Sequence, residues 1–213
     1  MIEYVGQAKQ DLWMDKNIFK GKRKLKFLDI GSYDGKSINN TYVFEKYYDW
    51  TGICIEANPS IYSELKKNRN CIIVNKALSD KVETRKYVKI TGYGKMTGTF
   101  LDDMKPGHKK LMDMNLKNHP ESVKEIIEVE CVPLMDILDE HKLYDFDFMS
   151  IDIEGGEETI LKSVDWNKVN IGIILYENNY HGNKIEKYMN DFGYYQHPQK
   201  LGADNILIKK GYL

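Results

Sequence analysis

Acidic residues and glycines recur in this sequence where apolar runs end. The first place is Asp29-Ile-Gly31-Ser-Tyr-Asp34-Gly35, which closes an apolar run beginning at Leu25. Gly31 would let the backbone turn sharply and approach a ligand closely, and Gly35 would relieve crowding where the next element starts. The pattern lacks the G-x-G-x-x-G spacing that cradles a pyrophosphate. Asp29 and Asp34 would moreover repel phosphates. They suit a ligand with ammonium and sulfonium charges and no phosphate, such as S-adenosylmethionine. Two acids at the tip of an apolar strand are costly without such a purpose.

Three further clusters would share that rim. Glu56 ends the next apolar run, Thr51-Gly-Ile-Cys-Ile-Glu56, where a carboxylate can accept both hydroxyls of a ribose. Asn75-Lys-Ala77-Leu78 offers a small and an aliphatic side chain to cover an adenine. Ser150-Ile-Asp152-Ile-Glu154-Gly155-Gly156-Glu157 brings three acids and two glycines to a strand end beside a helix start. Glu157 there can be a plain helix-start acid. Asp152 and Glu154 are candidates for contact with the cofactor's amino group or for general-base work. Their oxygens also suit Mg²⁺, but no further ligand can be assigned, so a divalent metal is the less favoured reading. Tyr176-Glu177-Asn178-Asn179-Tyr180-His181 follows a later apolar run, and His181 is a candidate base at the cleft mouth.

The elements needed to hold these residues are legible as alternating apolar runs and helical stretches. Strands are expected at Leu25–Ile30, Ile53–Glu56, Cys71–Val74, Ile126–Val132, Phe146–Asp152, Ile171–Glu177, Tyr194–Gln196 and Asn205–Lys209. Helices are expected over Asn39–Trp50, from Asn58-Pro59 to about Asn68, and over Pro133–His141, Gly155–Val164 and Ile185–Phe192. Uninterrupted apolar strands between helices describe a largely parallel sheet covered on both faces. In such a sheet, ligands sit outside the carboxyl ends of the strands. Residues 1–24 read as a helical lead-in with a solvated basic run, Lys20–Lys24. From Lys81 to Glu125 the alternation breaks, apart from a short strand at Tyr87–Ile90. Gly92, Gly94, Gly98, Pro106, Gly107 and Pro120 punctuate this stretch, and residues 91–125 read as an insertion that could serve as a substrate lid.

Composition narrows the function classes. At 213 residues the chain suits one domain that can bury a core without staples. Its 31 basic and 32 acidic residues nearly cancel, which argues against broad tracking of nucleic-acid backbones or anionic membranes. Cys54, Cys71 and Cys131 are far apart and flanked by apolar residues, so they read as buried thiols. No apolar run approaches the roughly 18 residues of a bilayer span. Without a signal-like start as well, the expectation is a soluble, cytoplasmic protein.

In order, Phe27–Gly35, Asn40–Glu45, Trp50–Pro59, Asn75–Asp80 and Ser150–Glu157 resemble the successive motifs of the FkbM family of S-adenosylmethionine-dependent methyltransferases. Gln7-x-x-Gln10-Asp11-x-Trp13 is similar to that family's lead-in. The resemblance implies an α/β, Rossmann-like fold with a seven-stranded, mostly parallel sheet whose last strand is antiparallel. It also implies methyl transfer, usually to oxygen, with a hydroxyl on a small molecule or carbohydrate as the acceptor. The cofactor would be lined by Asp29, Gly31, Ser32, Asp34 and Gly35, with Glu56, Ala57 and Asn58 at the ribose, Ala77 and Leu78 at the adenine, and Asp152 nearby. Asp152 or His181 would take the proton. The alternatives are an RNA methyltransferase and a non-catalytic binder of the same cofactor. The stretch from Lys81 to Glu125 departs from the family pattern and leaves the substrate open.

Overall fold

A computed structural model describes residues 1–91, 98–179 and 182–213. Gly92, Gly94, Tyr180 and His181 therefore lie outside the described residues. In chain order the elements are α1 (Gln10–Trp13), which continues into a π-helical segment (Met14–Phe19), β1 (Lys26–Ile30), α2 (Tyr42–Tyr48), β2 (Thr51–Ile55), α3 (Tyr62–Asn68), β3 (Ile72–Val74), β4 (Ala77–Leu78), β5 (Glu83–Thr91) and β6 (Gly98–Phe100). Then follow α4 (Pro106–Asn118), β7 (Val123–Val132), α5 (Leu134–His141), β8 (Asp145–Ile151), α6 (Glu157–Ser163), β9 (Asn170–Glu177), α7 (Lys184–Asn190), β10 (Tyr194–Gln196) and β11 (Asp204–Lys209).

Seven strands form the main sheet in the order β10-β11-β9-β8-β1-β2-β3. Strands β1, β2, β3, β8 and β9 are parallel, and β11 runs antiparallel between β9 and β10. The apolar runs are buried on alternate sides, as a sheet covered on both faces requires. Leu28, Ile30, Ile53, Ile55, Met149 and Ile151 pack under α5, α6 and α7. Phe27, Cys54, Phe148, Ile173 and Leu175 pack under the lead-in, α2 and α3. On that second side Phe44 stacks on Trp50 with ring centres 4.5 Å apart, and Phe19 meets Trp50 edge-on at 4.8 Å. β1 is an interior strand next to the central β8, with β2 on its other side, so the turn that follows it opens within the sheet.

The stretch from Lys81 to Glu125 is not irregular throughout: with β4 and the strand expected at Ile126–Val132 it builds a second, four-stranded sheet in the order β4-β7-β5-β6. The short strand expected at Tyr87–Ile90 is the middle of a nine-residue β5, paired with β7 over its whole length. Its pattern is hard to see because charged residues from both strands alternate with the apolar ones. Lys89 bonds Glu125 across the pair at 2.7 Å, and Lys86 stands opposite Glu128. α4 covers one side of this sheet, where Met112 packs with Val88 and Ile90. Ala77 and Leu78, outside every strand expected from the sequence, are the short strand that joins β7.

Candidate functional site

A cavity of about 720 Å³ opens at the carboxyl ends of β1, β2, β8 and β9, with the second sheet as its far wall. That size suits a drug-sized ligand. Gly31 forms its floor at φ 82°, and the Gly31 and Ser32 N–H groups both donate to the Ile55 carbonyl, at 2.9 and 3.1 Å. A Cβ at Gly31 would lie 1.9 Å from the Asp152 carbonyl oxygen. Glycine is therefore needed because two strand ends meet there.

The expected cofactor residues divide into two groups. Gly31, Glu56, Ala57, Ala77, Leu78 and Asp152 line the cavity. Asp29, Ser32, Asp34, Gly35 and Asn58 do not appear in its wall. Asp29 turns inward, where its Oδ2 accepts from Thr41 Oγ1 at 2.6 Å and Asn39 Nδ2 at 2.8 Å and faces Arg69 at 3.5 Å. Ser32 Oγ donates to the Asp29 carbonyl at 2.8 Å. Asp34 Oδ1 accepts from the Lys36 and Ser37 N–H groups at 2.8 and 2.7 Å, so it holds the turn shut. A Cβ at Gly35, at φ 78°, would come 2.6 Å from Leu65. Asn58 is buried and accepts from the Ser60 N–H at 3.0 Å, an Asx turn leading into α3. These five shape the turn from behind.

Glu56 is 4% exposed, and its carboxylate is already held by two backbone donors, Tyr33 N–H at 2.9 Å and Asn58 N–H at 2.7 Å. Burial pushes its pKa up to about 7 despite those donors. At the neighbouring strand ends, Asp152, Glu157 and Glu177 bring carboxylate oxygens within 4.8 Å of one another. Glu157 Oε1 accepts from the Ile153 and Gly155 N–H groups at 2.9 and 3.2 Å. Asp152 is open to the cavity, with protein around its remaining sides. That enclosure, then Glu177, pushes its pKa well above the usual carboxylate range. Burial and then Asp152 raise Glu154 to about 7, and burial and then Glu154 raise Glu177 to about 8. Mutually repelling acids of this kind are a donor set that fits a cation. They would suit an ammonium group, and Asp152, Glu157 and Glu177 could also offer oxygens to a metal ion.

These raised values carry a pH signature. Glu56, Glu154 and Glu177 hold protons in the folded chain at pH values where the unfolded chain, with glutamates near 4.5, has lost them. The folded state then binds more protons, so stability falls as pH rises from about 4.5 to about 8. The melting temperature of the ligand-free protein should accordingly be lower at pH 8 than at pH 5.5. Glu177→Gln should flatten that slope. A melting temperature that climbs across the interval would contradict the clustering.

The far wall holds residues that the sequence reading passed over. Tyr87, Thr99, Phe100 and His119 reach the cavity from the second sheet and the end of α4, and Lys76 from beside β4. Tyr87 and Phe100 meet edge-on, with ring centres 6.0 Å apart. His119 Nδ1 lies 3.3 Å from Glu121 Oε1. The signal that could have found Tyr87 was the period-2 alternation of β5, obscured by Arg85, Lys86 and Lys89. His181 falls outside the described residues.

Comparison with known proteins agrees with this geometry. A family profile described as the methyltransferase FkbM domain matches residues 29–195. No curated protein sequence matches the chain significantly. Among solved structures, a precorrin-6y C5,15-methyltransferase from Geobacter metallireducens is similar at 16% identity with a TM-score of 0.50, over 95% of this chain and 86% of that one. A methyltransferase FkbM from Methylobacillus flagellatus is similar at 12% identity with a TM-score of 0.48, over 87% of this chain and 43% of that one. The central strand order, the ligand-sized cavity at the strand ends and the family match agree, and this chain belongs to the FkbM family of S-adenosylmethionine-dependent methyltransferases.

Proposed function

We propose that the protein transfers a methyl group from S-adenosylmethionine to a hydroxyl on a small molecule or carbohydrate. The observation that carries this reading is a single cavity with Glu56 at one strand end, the Asp152 cluster at another, and an aromatic and polar wall opposite them. Glu56 would accept from the ribose hydroxyls, Ala77 and Leu78 would cover the adenine, and Asp152, with Glu177 behind it, would face the ammonium group. When bound, the cofactor supplies an electrophilic methyl group. The protein's part is to align the acceptor, exclude water and take a proton. Asp152 and His181 remain the proposed bases, and the acids raised to about 7 and 8 beside Asp152 can hold a proton at neutral pH. Tyr87 and Phe100 would stack on a ring of the acceptor, with Thr99 bonding its polar edge.

No helix among the described residues is long and apolar enough to cross a membrane, which fits an acceptor that diffuses to the site. The test is to incubate the protein with tritiated S-adenosylmethionine and pools of hydroxylated small molecules, sugars or RNA. Label in the small-molecule or sugar pool is the expected result. Label in RNA alone would replace the acceptor class, and cofactor binding without turnover in any pool would favour a non-catalytic binder.

A further inference from the structure

Strand β7 is paired fully along one edge only. Its register with β5 runs unbroken from Val123, opposite Thr91, to Cys131, opposite Glu83. On the other edge β4 reaches only Cys131 and Val132. Among the described residues, no strand pairs the remaining edge over residues 124–130. An edge of this length presents a row of backbone N–H and C=O groups that another strand can complete. Edges meant to stay single are usually short, bulged, broken by proline or studded with charge, and of these devices β7 has only the last, in Lys124, Glu125, Glu128 and Glu130. β7 is ten residues long without a proline, and it leaves Ile126 55% exposed in mid-strand.

The charges beside this edge choose the partner. Antiparallel pairing of two copies about a two-fold axis at Ile126 sets Ile126 against Ile126. The same register places Lys124 opposite Glu128 of the second copy, twice in each dimer. Moving the axis to lie between Ile126 and Ile127 sets Glu125 against Glu128 and removes both ion pairs. Moving it to Ile127 sets Ile126 against Glu128 and draws Lys124 to Glu130, which already pairs with Lys76. On the face that carries Ile126 the register centred there is thus selected by the Lys124–Glu128 pairs and the Ile126 contact, while on the opposite face it sets Glu125 against Ile127. Within the chain, Val88 and Lys86 of β5 stand opposite Ile126 and Glu128. The pairing would therefore extend an apolar row, Val88–Ile126, and a charge row, Lys86–Glu128–Lys124, across both copies.

We propose that β7 is a dimerisation strand, to which a second copy of this chain adds in antiparallel register centred on Ile126. The joined sheet would carry both far walls, with Tyr87 and Phe100 in each. This inference is independent of the acceptor's identity. Sedimentation velocity on the full chain is expected to show a dimer at micromolar concentration. Lys124→Glu and Glu128→Lys should each raise its dissociation constant about tenfold or more, and the two changes together should restore it. Ile126→Cys should cross-link between copies under mild oxidation, where the parent protein does not. Circular dichroism should show each variant folded. A parent that stays monomeric, charge reversals that leave association unchanged, or a dimer in which Ile126→Cys fails to cross-link would each overturn the proposal.

Discussion

Replacing Arg69 with methionine should lower the free energy of unfolding by about 3–5 kcal/mol, the range for stripping one partner from a buried charge network. The guanidinium is 3% exposed. It donates from Nη1 to the Gly35 carbonyl at 3.2 Å and to Asn39 Oδ1 at 3.1 Å, from Nη2 to Thr41 Oγ1 at 2.9 Å, and from Nε to Glu45. It also stands 4.9 Å from the centre of the Phe27 ring. Methionine would fill much of the volume while leaving the Asp29 and Glu45 carboxylates without their cation. Asp29, itself 3% exposed, would be left as a buried charge with little access to water. Urea denaturation measures the loss, and adding Asp29→Asn to Arg69→Met should recover part of it. A loss under about 1 kcal/mol would mean that the network is solvated and holds little together.

Removing the carboxylate of Glu56 should weaken S-adenosylmethionine binding by about 1.5–3 kcal/mol, roughly ten- to a hundred-fold in affinity. The structure alters how the experiment must be done. Because both oxygens already hold the Tyr33 and Asn58 N–H groups, Glu56→Ala would also free the turn after β1. Glu56→Gln keeps one acceptor for those donors and loses the charge. Titration calorimetry on both variants, with melting curves alongside, separates the two effects. Alanine should lose affinity and melting temperature, and glutamine mainly affinity. Unchanged affinity in the glutamine variant would remove Glu56 from the ribose role.

These two residues show what could be read in advance. The apolar runs fixed the parallel strands within a residue or two, since burial on both faces leaves a continuous signal in the chain. Helix ends were less legible. Asn39 reads as a helix start, yet its side chain accepts from the Thr41 and Tyr42 N–H groups and delays α2 to Tyr42. Glu56 was legible as a carboxylate at a strand tip and does line the cavity. Asp29 is in register with Cys54, two residues short of Glu56, and turns inward rather than to the cavity. Its direction depends on Arg69, forty residues away, and no local pattern announces that pairing. Of the second sheet only Tyr87–Ile90 and Ile126–Val132 were legible as strands; the rest escaped because β5 and β7 mix charged with apolar residues, which resembles loop composition. With it went the far wall and His119.

The interior place of β1 also bears on how the chain is made. One neighbour, β2, follows within a few tens of residues, while the other, β8, begins more than a hundred residues later. At about 5–20 residues per second, that edge waits several seconds or longer after β1 leaves the ribosome. During that interval Phe27, Leu28 and Ile30, all buried in the finished fold, have no strand beside them on that edge. The Gln10–Asp204 hydrogen bond, at 2.8 Å, cannot form until β11 emerges. The ligand cavity, built from strand ends spread between Gly31 and Glu177, is therefore completed late in synthesis.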